Sequence, residues 1–184
     1  MIGISDSVSL GFQRLVNSDR APVIMQVLPA LNAGGVERGV VDLNAAIVAA
    51  GGRSVVVSSG GKMVSDITKA GGLHITLPVD SKNPLTMAVN ISRLRKIIRH
   101  CGVDIVHVCS RAPAWSASGA VRGTNARLIT GCHAAHKIGG TWKRLYNSSI
   151  TKGERIIAVS RFLGHYLEDN YQVPPEKIRV IHRG

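Results

Sequence analysis

Three short stretches of the chain hold residues that could act on a ligand. The first, Pro29-Ala30-Leu31-Asn32-Ala33-Gly34-Gly35-Val36-Glu37-Arg38-Gly39, is a glycine-bearing segment that opens a helical pattern. Glycines let backbone N–H groups approach an anion, and a helix N-terminus adds about half a positive charge, so Gly34 and Gly35 could cradle a phosphate. The segment has neither the glycine spacing of a dinucleotide fingerprint nor the Lys-Ser/Thr of a P-loop. A tight turn that needs positive φ accounts for the same glycines equally well. In the second stretch, His107, Cys109 and Arg111 alternate onto one face of an extended run, and Arg111 could clamp an anion. The third is Gly131-Cys132-His133-Ala134-Ala135-His136-Lys137. There His133 could donate a hydrogen bond to a ligand hydroxyl or carry a proton near neutral pH, and Lys137 could meet an anionic group.

His107, Cys109, Cys132 and His133 are residue types that suit zinc. Alternation turns His107 and Cys109 the same way but sends Cys132 and His133 to opposite sides, which argues against a shared metal site. No Ser-His-Asp order and no paired-carboxylate loop stands out. Residue types alone leave the chemistry open.

The elements that must position these residues are short apolar runs alternating with amphipathic stretches. Val23–Leu28, Ser54–Ser58, Leu73–Leu77, Asp104–Val108, Arg127–Thr130, Arg155–Val159 and Ile178–Ile181 read as strands. Most are near-continuous in Val, Ile and Leu, as expected where both faces of a parallel sheet are buried. Between them, Val36, Val40, Leu43, Ile47 and Ala50 recur at helical spacing before a Gly51-Gly52 stop, and Met87, Ile91, Leu94 and Ile98 do the same. Further helices are expected over Val64–Ala70, Ala114–Val121, Thr141–Ile150 and Ser160–Tyr171. The alternation predicts a doubly wound, Rossmann-like α/β domain with a parallel sheet of about seven strands over residues 22–184, behind an ill-defined leader over 1–21. In such sheets ligands sit outside the carboxyl ends of the strands, near the point where strand order reverses. The last apolar run is followed at once by His182-Arg183-Gly184, which reads as the first half of something longer.

Composition narrows the partners. The chain has 184 residues, 45% of them apolar, enough for one sizeable core. Its 23 Lys+Arg against 11 Asp+Glu leave a net charge of +12, which favours an anionic partner. Aromatic residues make up only 4%, little material for base stacking, so nucleic acid is the weaker choice. No apolar window nears the ~20 residues of a membrane span, and the N-terminus lacks a secretory pattern, so a soluble cytoplasmic protein is expected. Cys101, Cys109 and Cys132 form no CxxC pair and read as reduced thiols.

Taken in order, the motifs match a known pattern. Gly34-Gly35-Val36-Glu37-Arg38 opens the first helix, Asp104-Ile105-Val106-His107-Val108 precedes a loop, and His133 follows a strand. Ile156-Ile157-Ala158-Val159-Ser160 is then followed by Ile178-Arg179-Val180-Ile181. Together they resemble the N-terminal domain of family 4 glycosyltransferases, retaining enzymes of the two-domain GT-B architecture, from about Val23 to Gly184. The resemblance implies transfer of a sugar from a nucleotide-sugar donor to an acceptor, often a lipid-linked or bacterial envelope glycan, without a metal or cofactor. It implies that Gly34 and Gly35 face the donor diphosphate and the acceptor, and that His133 lies beside the transferred sugar. Arg111 and Lys137 become candidate acceptor or anion contacts. Ala134 stands where the family commonly has glycine. The family's nucleotide-binding C-terminal domain, with its Glu-x7-Glu motif, is absent; Glu168 and Glu176 match that spacing by coincidence, with Pro174-Pro175 between them.

Half an enzyme of this kind is expected to be inactive until completed by a C-terminal domain, or to pair as a homodimer. The alternative is a catalytically inactive remnant that binds a membrane or a glycan. Similar enzymes often dock on anionic membranes through basic helices. Candidates for peripheral contact at the inner face of the membrane are Arg93, Arg95, Lys96 and Arg99, and a second stretch holding Lys137, Lys143, Arg144 and Lys152, with Trp142 and Tyr146 inserted.

Overall fold

In the computed structural model the structure describes residues 20–136 and 139–182. The leader expected over 1–21 falls, up to residue 19, outside the described residues, and so does Lys137. Seven strands form one parallel sheet: β1 (Val23–Val27), β2 (Arg53–Ser58), β3 (Leu73–Thr76), β4 (Ile105–Val108), β5 (Arg127–Cys132), β6 (Arg155–Ala158) and β7 (Ile178–Val180). Their spatial order is β3-β2-β1-β4-β5-β6-β7, so the direction of winding reverses between β1 and β4. Among the described residues six α-helices alternate with them: α1 (Gly35–Ala49), α2 (Val64–Lys69), α3 (Pro84–Cys101), α4 (Arg111–Val121), α5 (Thr141–Asn147) and α6 (Arg161–Tyr171). The doubly wound, Rossmann-like expectation is borne out.

The period-2 alternation of the strands decides which helix covers which face. Met25, Val27, Val55, Val57, Val106 and Val108 point to one side, where they pack with Leu94 and Ile98 of α3 and Ala114, Ala117 and Ala120 of α4. Val56 points the other way and joins Leu28, Val40 and Val41 of α1 and Ile67 of α2. A third cluster sets Leu163 and Leu167 of α6 against Ile156, Ala158 and Ile178. The small residues of α4 let α3 approach closely. A Cβ added at Gly119 would lie 2.7 Å from Ile91 Cδ1.

Helix boundaries follow local chemistry. Asn83 Oδ1 accepts from the backbone N–H of Leu85 at 2.9 Å with Pro84 at the first helical position, so α3 starts there. Ser160 Oγ accepts from Leu163 N at 3.3 Å and starts α6. Several boundaries depart from the sequence reading: β5 runs on to Cys132, and the helix expected over Thr141–Ile150 gives way to a 3-10 turn after Asn147. The helix expected from Ala114 begins at Arg111, because Pro113 falls inside the first turn, where its missing N–H would have had no intrahelical partner. β4 ends at Val108, so His107 and Cys109 stay together, Cys109 Sγ lying 3.8 Å from His107 Nδ1, while Arg111 leaves that extended face for the head of α4.

Two of the arginines named for membrane contact, Arg95 and Arg99, make hydrogen bonds within the fold. Arg95 Nη2 donates to Gly119 O at 2.7 Å and Arg95 Nε to Ala120 O at 3.3 Å, while Arg99 Nη2 donates to Gly123 O at 3.3 Å. Gly119 and Ala120 carry carbonyls left unpaired in the last turn of α4, and Gly123 lies two residues beyond it, where positive charge is favoured. Arg93 and Lys96 are exposed. No helix among the described residues is long and apolar enough to cross a membrane.

The loop after β1 is strapped to the loop after β2. Leu31 N donates to Gly60 O at 2.8 Å, Met63 N to Leu31 O at 2.8 Å, and Ser59 N to Pro29 O at 2.9 Å. The strap needs glycine at two positions, since Gly60 has φ 99° and Gly61 has φ 140°. A Cβ on Gly61 would also collide with the Leu31 backbone, whereas a Cβ on Gly60 would meet nothing within 4 Å. Gly60→Ala should therefore lower the unfolding free energy by about 1 kcal/mol, the left-handed penalty alone. Gly61→Ala should cost about 2–3 kcal/mol, strain plus overpacking, measured by urea denaturation of both variants.

Candidate functional site

The winding reverses between β1 and β4, and the carboxyl ends of these strands are level. Val27 pairs with Val108 in register, and Cys109 N donates to Val27 O at 3.0 Å. β1 delivers the loop that ends in Gly34 and Gly35, β4 delivers Cys109 and Arg111, and β5, next to β4, delivers His133. These ends surround a cleft of about 190 Å³ lined among others by Val36, Cys109, Arg111, Gly131, His133 and His136. Val36, the residue after Gly35, lines this cleft together with His133, so the first loop ends at its border. The structure thus brings Gly34, Gly35, Arg111 and His133 to the same end of the sheet, and Lys137 lies outside the described residues.

The glycine pair has no conformational reason of its own. Neither Gly34 nor Gly35 is among the positive-φ glycines, and Gly34, at φ 164° and ψ 164°, has extended backbone that any residue adopts. The tight-turn account of these glycines is therefore wrong. A Cβ on Gly35 would meet nothing within 4 Å, and one on Gly34 would meet only the flexible carboxylate end of Glu37. Both residues are exposed at the N-terminus of α1, a helix of 15 residues. The exposed backbone here stands at the first turn of a helix, where negative charge is stabilised, with open space beside Gly35 and the Glu37 carboxylate beside Gly34.

His133 lies against β5 because Gly131 has no side chain. A Cβ at Gly131 would sit 2.6 Å from His133 Nε2 and 3.1 Å from Cε1. Gly131 is thus a positioning residue that the sequence reading did not single out; a glycine two residues before a candidate histidine at a strand end is the signal that marks it. The loop beyond is anchored by α6, since Tyr166 Oη donates to His136 O at 2.6 Å and accepts from His136 N at 3.2 Å. Burial, then Arg111, then Lys143 hold the His136 imidazole below its ordinary pKa, so His136 is neutral at neutral pH.

Arg111 is fixed from the far side. Its Nη1 donates to Asn147 Oδ1 at 2.5 Å, its guanidinium lies 5.7 Å from the Tyr146 ring centroid, and Ser149 Oγ donates to Arg111 O at 3.1 Å. Tyr146, Asn147 and Ser149 come from α5 and the 3-10 turn that follows it, Ser148–Lys152. Nothing in their spacing ties them to a residue 36 positions upstream, which is why sequence reasoning missed them. Tyr146 is half-buried beneath Arg111. Burial pushes the Cys132 thiol up to about 11, so it is protonated at neutral pH and is a poor metal ligand as it stands. Among the described residues no three of His, Cys, Asp or Glu gather where a metal ion could be held.

Comparison with known proteins agrees with this geometry. A family model described as Glycosyltransferase Family 4 matches residues 33–184. Among solved structures, a glycosyltransferase from Rickettsia africae ESF-5 is 40% identical over 89% of this chain, with a TM-score of 0.78. Anabaena HepE in complex with UDP and glucose is 13% identical over 88% of this chain, with a TM-score of 0.68. The lipopolysaccharide outer core galactosyltransferase WaaB is 12% identical over 88%, with a TM-score of 0.66. The chain covers 43%, 44% and 45% of these three structures, so it spans less than half the length of each. The last two likenesses speak for the fold alone. No curated protein matches the sequence. With 152 consecutive residues, from 33 to 184, under the family model and the strand-end cleft in place, the chain belongs to glycosyltransferase family 4 and has the fold of one half of a GT-B enzyme.

Proposed function

We propose that this chain forms the acceptor-side wall of a retaining glycosyltransferase that moves a sugar from a nucleotide-sugar to a lipid-linked or envelope glycan acceptor. The observation that carries the reading is the pair Gly34-Gly35: unstrained and exposed, with open space where a Gly35 side chain would project and only the Glu37 carboxylate near one on Gly34, and adjoining Val36, which lines the cleft with His133. Glycine at such a place serves something outside the chain. In the proposed enzyme the bond from the anomeric carbon to the donor diphosphate breaks and a bond to the acceptor hydroxyl oxygen forms, so negative charge grows on the departing diphosphate, which takes up the hydroxyl proton. The N-terminal turn of α1 stabilises that charge. His133 borders the transferred sugar and donates to a hydroxyl. The opposite wall, with the nucleotide, is supplied by a C-terminal domain. The presence of UDP-glucose and of UDP with glucose in the HepE structures supports a nucleotide-sugar as donor.

Two measurements test the reading. Gly35→Val in the chain as it stands should leave the unfolding midpoint within about 2 °C of the parent, because the position is exposed and a Cβ there has nothing within 4 Å. A shift of 5 °C or more would mean that the glycine serves the fold. For activity, the chain replaces the corresponding 43% of the Rickettsia africae glycosyltransferase, and release of UDP from UDP-glucose is followed in fusions with a normal unfolding transition. The fusion should turn over while the isolated chain does not. His133→Ala should lower its rate about 10²-fold, the usual weight of a positioned proton donor, and Gly35→Val about tenfold. Equal rates in all three fusions would remove the proposed wall from the reaction.

A further inference from the structure

A second, larger cavity of about 850 Å³ opens between the N-terminal half of α3 and the corner where α4 meets α5. Pro84, Met87, Ala88 and Ile91 recur at i, i+3, i+4 and i+7 and so form one apolar stripe of α3, with Trp115 and Leu145 completing the lining. Its polar groups are largely engaged within the chain. Ser116 Oγ donates to Met87 O at 3.0 Å, and Trp115 Nε1 donates to Tyr146 O at 3.2 Å. Apolar surface continues outside the cavity at Leu85, which is 78% exposed, and the lining residue Leu145 is itself 49% exposed. The charged residues of the lining, Lys82, Arg111 and Lys143, are all cations, and Lys152 Nζ stands 3.7 Å from the centroid of the Trp115 ring.

An apolar recess with a cationic rim matches a molecule with an apolar body and an acidic end. The volume lies within the roughly 300–1,000 Å³ of sites that enclose one small molecule, which favours a single guest over a membrane plane. Arg111 also lines the cleft that holds His133, so the rim of the larger cavity is continuous with the site already described. Asn147 engages one of the five donors of the Arg111 guanidinium. We infer that this cavity holds the hydrocarbon chain of a single anionic amphiphile, with an acidic head of phosphate type seated among Lys82, Arg111 and Lys143. Its service as the sugar acceptor rests on the transferase reading; its binding does not.

Dodecyl phosphate, kept below its micelle concentration, is titrated into the unaltered chain by calorimetry and followed by the fluorescence of Trp115 in a Trp142→Phe variant. Saturable uptake of one molecule is expected, at least tenfold tighter than that of uncharged dodecanol. Ala88→Trp, at an exposed position of α3 that narrows the cavity, should weaken uptake at least tenfold, and the Lys82→Glu/Lys143→Glu pair should remove the preference for the charged head. Because Arg111 and Lys143 help to hold the His136 pKa down, a bound acidic head should raise the pH midpoint of the His136 ring resonance. Several results would overturn the inference: inorganic phosphate binding as well as dodecyl phosphate, undiminished uptake by Ala88→Trp, or association with phosphatidylglycerol vesicles alone. A dimer that takes up no amphiphile would assign the cavity to a second copy, and uptake with an unmoved His136 midpoint would contradict the head placement. Uptake is read without donor or turnover, so its failure leaves the transferase reading standing, and uptake beside an inactive fusion would count against that reading alone.

Discussion

Strands β1 and β4 lie side by side with level carboxyl ends, yet the chain leaves them toward opposite faces of the sheet. α1 packs with Val56 and Leu28 on one side, and α4 packs with Val106 and Val108 on the other. Two exits that diverge in this way leave a crevice, and whatever the adjacent strands carry at their ends faces into it. Gly34-Gly35, Arg111 and His133 reach that crevice from three different strands without any of them being near another in sequence. The whole functional reading depends on this reversal.

The walls of the crevice are held by hydrogen bonds that reach across loops. On one side the backbone of Pro29 to Leu31 is tied to Ser59, Gly60 and Met63; on the other, Tyr166 clamps His136 while Asn147 and Ser149 fix Arg111. Walls ordered before a ligand arrives lose less conformational entropy when it binds. Gly131 adds a steric device of the same kind, since the missing Cβ is what lets the His133 ring rest against β5. Positive charge is also divided by use. Arg95 and Arg99 satisfy the end of α4, and Arg144 Nη2 reaches Asn170 O at 3.2 Å, whereas Lys82, Arg111 and Lys143 gather around one apolar cavity.

The sheet was legible because burial on both faces demands near-unbroken Val, Ile and Leu, as in Ser54–Ser58, and that demand is written locally. Helices were legible where one apolar stripe and a stop coincide, as in Val36 to Gly51. The head of α4 was not: the apolar pattern marks a helix only from Ala114, while the helix starts at Arg111 with Pro113 in its first turn, where a proline leaves no intrahelical hydrogen bond unmade. The purpose of Gly34 and Gly35 was equally hidden. A turn glycine and a glycine that clears space for a guest are the same letter, and only φ and the empty volume around each Cβ separate them. The partners of Arg111 lie beyond any local pattern, since a contact across 36 residues exists only once the sheet has formed.

The most direct measurement is an amide NMR titration, with UDP-glucose, of the fusion to the Rickettsia africae C-terminal half, labelled only at glycine and histidine. The account predicts that the signals of Gly34, Gly35 and His133 shift together along one binding curve while those of Gly60 and Gly61, in the strap behind the loop, move little. Saturation of the donor site with the Gly34, Gly35 and His133 signals unmoved would contradict it.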